Sequence, residues 1–133
     1  MTAESDPKGH RAIGRVAIEV VDADSARSLG SGDLPVLGTP RVVALVEAAA
    51  VAALAGTLDD GSTSVGIKIE LQHLAPTRIG ALVIAEAALT GIDGKIAEFA
   101  VRAESEDREI ACGTHLRAIV DRERFLARPE LSD

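Results

Sequence analysis

Residues 40–54, PRVVALVEAAAVAAL, carry two charges, Arg41 and Glu47, in a run that is otherwise almost entirely aliphatic. Thr39 stands where an N-cap belongs, Pro40 fits the first helical position and Gly56 falls just past the end, so the run is predicted to be one helix. A helix apolar on nearly every side belongs inside a core. A chain of 133 residues builds one such core, so the other elements are expected to wrap this helix. Glu47 is then expected to be mostly buried, and a buried carboxylate has to be paired, hydrogen-bonded or protonated. Such a group is a candidate acid, base or nucleophile. An ion pair with an arginine accounts for it equally well.

The remaining segments alternate. Val16, Ile18 and Val20 share one side of a strand over 12–22. Residues 25–38 are rich in Gly, Ser, Asp and Pro and read as loop. After the helix, Val65, Ile67, Ile69 and Leu71 share one face of a strand over 65–73, and residues 81–90 form an apolar strand expected to be covered on both sides. Asp93-Gly94 signals a hairpin. Ala97, Phe99, Val101 and Ala103 point inward from 95–105, and Glu106-Asp107 makes the next turn. A last strand over 108–121 is expected to hold Ile110, Cys112, Leu116, Ala118 and Val120 on one face. One long helix beside about five antiparallel strands is an α+β fold of the hotdog arrangement. Aromatic residues make up only 2% of the chain, so the core is aliphatic, and so small a sheet is expected to gain burial by pairing with a second copy.

The net charge of −7 argues against a nucleic-acid surface. One cysteine, Cys112, excludes an intrachain disulfide and fits a reducing compartment. No signal peptide is visible at the start, and the helix at 40–54 is too short for a membrane span. The expected protein is cytoplasmic, with a single domain over 10–127 between disordered tails at 1–9 and 128–133.

Glu47 needs partners. His73 shares parity with Ile69 and Leu71 and is predicted to face the helix, where a satisfied core histidine and an acid–base partner are both open readings. His115, in Gly113-Thr114-His115, has the opposite parity from Ile110 and Cys112 and is expected on the far face or near an edge, in a structural role. Thr39 and Glu47 are eight residues apart, ~12 Å along a helix, and can border one elongated site without touching. Three scattered histidines give no metal-ligand spacing, no phosphate or nucleotide motif is present, and neither metal nor cofactor is called for.

Taken together, GTPRVVALVE over 38–47, Ser64-Val65-Gly66, His73, Ala75-Pro76-Thr77, Ile92-Asp93-Gly94-Lys95, Gly113-Thr114-His115-Leu116-Arg117 and Arg124-Phe125 resemble the fluoroacetyl-CoA thioesterase-like group of hotdog thioesterases. The resemblance covers roughly residues 12–126. It implies hydrolysis of an acyl-CoA thioester by a homodimer, with Thr39, Glu47 and His73 as the active-site set. It places an active-site glycine on Gly66 and an arginine on Arg117. Arg78, Arg41 and Arg117 are candidate cations for the CoA phosphates. The fluoroacetate enzyme closes its site with phenylalanines before the helix; residues 33–37 here have none, and Leu34, Val36 and Leu37 give an aliphatic acyl wall instead. A non-catalytic hotdog module that binds acyl-CoA or another apolar metabolite, and a hydratase or dehydratase, are the alternatives.

Overall fold

The computed structural model describes residues 12–132. The tail expected at 1–9 lies outside the described residues, and at the other end Pro129–Leu131 form a 3₁₀ turn where a disordered tail was expected. The elements run β1 (Ile13–Glu19), α1 (Ala26–Leu29), α2 (Thr39–Leu54), β2 (Ser62–His73), β3 (Leu82–Asp93), β4 (Ile96–Ser105), β5 (Arg108–Asp121) and α3 (Arg122–Leu126). The strands form one antiparallel sheet in the order β1-β3-β4-β5-β2. The sheet curls around α2, which packs chiefly on β1 and β3. This is the hotdog arrangement.

The turns follow the residues that allow them. Gly94 takes a φ of 63° between β3 and β4, a left-handed conformation that costs glycine little. Glu106 and Asp107 both adopt positive φ between β4 and β5, which a two-residue hairpin of right-handed strand twist demands.

The core is aliphatic apart from Phe99, and most residues where helix and sheet meet are small. Val83, Ala85 and Ala87 of β3 and Ala97, Phe99, Val101 and Ala103 of β4 meet Val42, Val46, Ala49, Ala50 and Ala53 of α2. With so little side-chain volume between them, helix and sheet come close together. A Cβ on Gly14 of β1 would overlap the Ala49 carbonyl and the Ala53 amide of α2. On β3 only the inner face is fully buried; Ile84, Glu86 and Ala88 are half-buried, and the strand is not covered on both sides.

Three register shifts interrupt the sheet, at Ile67 of β2, Thr90 of β3 and Ile110 of β5, and the first and last change which side chains face the helix beside Glu47. On β2, Gly66 pairs with Arg117 and Lys68 with Leu116, so Ile67 is an extra residue. On β5, Ala111 pairs with Ala103 and Glu109 with Glu104, so Ile110 is an extra residue. A bulge reverses the inward–outward alternation beyond it. Gly66 below the first bulge and Ile69, Leu71 and His73 above it therefore share the helix side, while Ile67 is exposed, against the expected common face. Beyond Ile110, the inward positions of β5 become Ala111, Gly113, His115, Arg117 and Ile119, not Cys112, Leu116 and Ala118.

One face of α2 is not wrapped. Ala44, Ala48, Val51, Ala52 and Ala55 form an exposed apolar stripe, with Glu47 half-buried along it. The stripe lies toward the β2 side, where the sheet ends in an edge strand. No helix among the described residues is long and apolar enough to cross a membrane.

Candidate active site

The segment before α2 is fixed by Asp24 and two backbone straps. Asp24 Oδ2 accepts from the Val21 amide at 2.9 Å, and its Oδ1 accepts from Arg41 Nε at 2.8 Å. The Leu37 amide donates to the Thr77 carbonyl at 2.9 Å, and Val36 bridges Arg78. These bonds bring the first turn of α2 beside the end of β2. Gly38 takes the N-cap position and Thr39 is already helical, so the Thr39 side chain does not cap the helix as expected. Its hydroxyl goes elsewhere: Thr39 Oγ1 lies 2.8 Å from His73 Nδ1.

This hydroxyl–imidazole pair borders a cavity of about 290 Å³, lined also by Val36, Leu37, Gly38 and Ala75. Nε2 of His73 is buried with no hydrogen-bond partner among the described residues. Burial pushes the His73 imidazole below its usual range, an effect partly opposed by the Ala75 backbone. A neighbouring cavity of about 280 Å³ shares Val36 and Pro76 with the first and reaches Arg78 and Arg108. Arg78 is exposed and paired with Glu106 at 2.9 Å. Arg41 is ion-paired with Asp24 at 2.8 Å.

Glu47 belongs to a second cluster. Its Oε2 lies 3.4 Å from Arg117 Nη1 and 3.8 Å from His115 Nε2. The buried members are the basic ones: His115 is 2% exposed and Arg117 7%, while the Glu47 side chain is 39% exposed. The expectation of a mostly buried Glu47 fails in the single chain because the residue lies along the open stripe of α2. Arg117 Nε donates to Ser64 Oγ at 2.8 Å and Nη2 to the Ser64 carbonyl at 3.2 Å. Burial pushes the Arg117 guanidinium below its ordinary value and Glu47 opposes that push. Gly66 adjoins the same cluster: a Cβ there would overlap the Glu47 carboxylate.

The structure thus brings Thr39 and His73 into contact and gathers Glu47, Gly66 and Arg117, but no hydrogen bond joins the two groups among the described residues. Arg117 is buried, with its Nη1 turned onto the half-exposed Glu47 carboxylate. Sequence reasoning put His115 on the far face or near an edge, and it gave Ser64 no partner of its own. Both faces of β5 carry apolar residues, so periodicity alone could not locate the bulge at Ile110 that turns His115 inward. The adjacent apolar residues Ile110, Ala111 and Cys112 were the one available sign of broken alternation.

Residues 20–123 match the family described as fluoroacetyl-CoA-specific thioesterase. The chain belongs to this thioesterase family. A fluoroacetyl-CoA thioesterase of Streptantibioticus cattleyicolor is 37% identical over 93 residues, which span 70% of this chain and 67% of that protein. The solved structure of the fluoroacetyl-CoA thioesterase FlK aligns at a TM-score of 0.83 and 30% identity over 91% of this chain and 94% of that one. A hypothetical protein of Thermus thermophilus, a thioesterase superfamily member, shares the fold at a TM-score of 0.83 and 22% identity, over 92% of this chain and 91% of its own. In this member of the thioesterase family, a thioester hydrolase family, the wall beside the Thr39–His73 cavity is Val36 and Leu37. Leu34 is exposed outside that wall.

Proposed function

We propose that this chain hydrolyses a short or medium acyl-CoA thioester to the free acid and CoA, with Thr39, Glu47 and His73 as its reacting set. The observation that carries this reading is the Thr39–His73 hydrogen bond on the wall of a cavity, in a chain whose family hydrolyses thioesters. In the reaction the acyl carbon exchanges sulfur for oxygen: the C–S bond breaks, a C–O bond forms, and the CoA thiolate gains a proton. Glu47, ion-paired with Arg117, is the acceptor group of the set. It either takes a proton from the attacking water or attacks the carbonyl itself to give an anhydride that water then opens. The Thr39 hydroxyl is the exposed end of the Thr39–His73 pair; the pair passes a proton from solvent to the leaving thiolate, and the proton that Glu47 takes from the attacking water returns to solvent when the acid product leaves as its anion. Val36 lines the acyl wall, the Gly66 backbone offers close approach beside Glu47, and Arg78, exposed at the second cavity, serves a CoA phosphate. Arg117 serves the site through Glu47.

The working form is a homodimer in the cytoplasm. The unwrapped apolar stripe of α2 and the β2 edge beside it form one surface, and a second copy pairing its own β2 edge covers both. Glu47 lies along that stripe, so dimerisation encloses it and places the sites at the interface.

The test is thiol release from a panel of short and medium acyl-CoAs, with Glu47→Gln and His73→Ala as controls. Released CoA that depends on both residues supports the hydrolase. Binding without release makes the chain a non-catalytic module, and hydration of an enoyl-CoA makes it a hydratase.

A further inference from the structure

His115 is the most enclosed ionisable side chain near Glu47, and the reading above gives it no task. Its Nδ1 lies 2.8 Å from the Lys68 carbonyl. A carbonyl only accepts, so Nδ1 carries the hydrogen. Nε2 then presents its lone pair, and Arg117 Nη1 donates to it at 3.1 Å. The same Nη1 faces Glu47 Oε2 at 3.4 Å. Around the imidazole stand Glu47 from α2, Arg117 from its own strand, the Lys68 carbonyl from β2 and the Phe99 ring from β4, whose centroid is 6.1 Å away. Lys68 directly follows the extra residue of the β2 bulge, and Gly66 directly precedes it. The imidazole therefore links the bulge to the guanidinium that meets the carboxylate.

We propose that His115 is a positioning residue: as the Nδ1–H tautomer it anchors to the Lys68 carbonyl and, through Nε2, orients Arg117 so that the guanidinium holds Glu47 beside Gly66. Ser64 fixes the other side of the guanidinium through Nε and Nη2, so His115 controls the Nη1 corner that touches Glu47. This inference rests on Glu47 acting in thioester hydrolysis. A supporting side chain of this kind governs the geometry of the reacting group without touching substrate.

The substitutions separate the two hydrogen bonds of the ring. His115→Gln places a carbonyl oxygen near the Nε2 position and keeps the acceptor for Arg117. His115→Asn places a donor near the Nδ1 position and keeps only the bond to Lys68. His115→Ala keeps neither. With acetyl-CoA and the acyl-CoA panel as probes, His115→Ala and His115→Asn are expected to lower kcat by about 10²-fold, the scale of a small misplacement of a reacting group. KM should stay within about threefold, and His115→Gln should recover most of the kcat. Imidazole nitrogen spectra of the isotope-labelled wild-type protein should show a protonated Nδ1 and an unprotonated Nε2 at neutral pH, a readout that needs neither activity nor a variant that folds. Wild-type turnover in His115→Ala overturns the proposal, as does equal loss in the Gln and Asn variants in step with lost thermal stability. So does a spectrum with hydrogen on Nε2. If Glu47→Gln itself leaves CoA release unchanged, the hydrolytic reading falls first and takes this role with it. If Glu47→Gln abolishes release and His115→Ala does not, only the role of His115 is overturned.

Discussion

Thr39 shows how one side chain is assigned by where its hydroxyl goes. Gly38 caps α2, and the Thr39 hydroxyl meets His73 instead. Thr39→Ala should therefore cost about 1 kcal/mol through one lost hydrogen bond, and that cost should vanish in a His73→Ala background. A double-mutant cycle by urea denaturation measures the coupling; additive losses would return Thr39 to a capping role. Glu47→Gln and His73→Ala should each lower CoA release by about 10²-fold or more, the scale of acid–base groups. His73 also sets a pH dependence. Burial lowers its pKa from the ordinary 6.5, so as pH falls below that value the unfolded chain takes up the proton before the folded one. The stabilisation is fully present above 6.5 and is lost as pH falls through the lowered folded value. Thermal denaturation across the acid side of neutrality should show this slope in wild type and a shallower one in His73→Asn.

At the level of elements, α2 and the sheet meet through small residues, and two glycines bring this out in opposite ways. A Cβ at Gly14 meets backbone of α2, which cannot move without shifting the helix, whereas a Cβ at Gly66 overlaps the flexible end of Glu47 and otherwise meets only side-chain atoms, Arg117 Nη1 and His115 Cε1, at 3.3 Å. Gly14→Ala should destabilise the fold by about 1–3 kcal/mol, the range of overpacked cores. Gly66→Ala should cost less stability than Gly14→Ala, since side chains can give way where backbone cannot, and should reduce turnover by displacing the carboxylate from Arg117. Chemical denaturation and CoA-release assays on the two variants separate these outcomes, and a Gly66→Ala more destabilised than Gly14→Ala would contradict the account. The segment before α2 carries its own consequence. Val36 and Leu37 present aliphatic surface to the cavity, and such contacts discriminate by only about 1–3 kcal/mol per methylene. The ratio of kcat/KM for fluoroacetyl-CoA over acetyl-CoA should accordingly be small; a ratio above about 10⁴ would show that selectivity arises without an aromatic wall.

For the molecule as a whole, the deciding feature is what the single sheet leaves uncovered. A helix as apolar as α2 is stable only when enclosed, yet Ala44, Ala48, Val51, Ala52 and Ala55 remain exposed beside the edge strand β2. Light scattering at micromolar concentration should give about twice the chain mass of 13.8 kDa. A monomer mass would leave the stripe without its covering and remove the proposed enclosure of Glu47.

Much of this was legible before the fold. The apolar run around Glu47 gave the central helix, the alternating segments and Asp93-Gly94 gave the antiparallel strands, and the ordered motifs around Thr39, Glu47 and His73 pointed to the thioesterase family. These are local signals: periodicity, turn chemistry and residue spacing act over a few positions. The exchange of Thr39 from cap to His73 partner, the bulges at Ile67 and Ile110, and the inward turn of His115 and Arg117 were not legible. Each depends on how residues far apart in the chain come to lie against one another. A strand with apolar residues on both faces has no preferred side until its neighbours fix the register, and a hydroxyl has no assigned partner until the fold supplies one within hydrogen-bond reach.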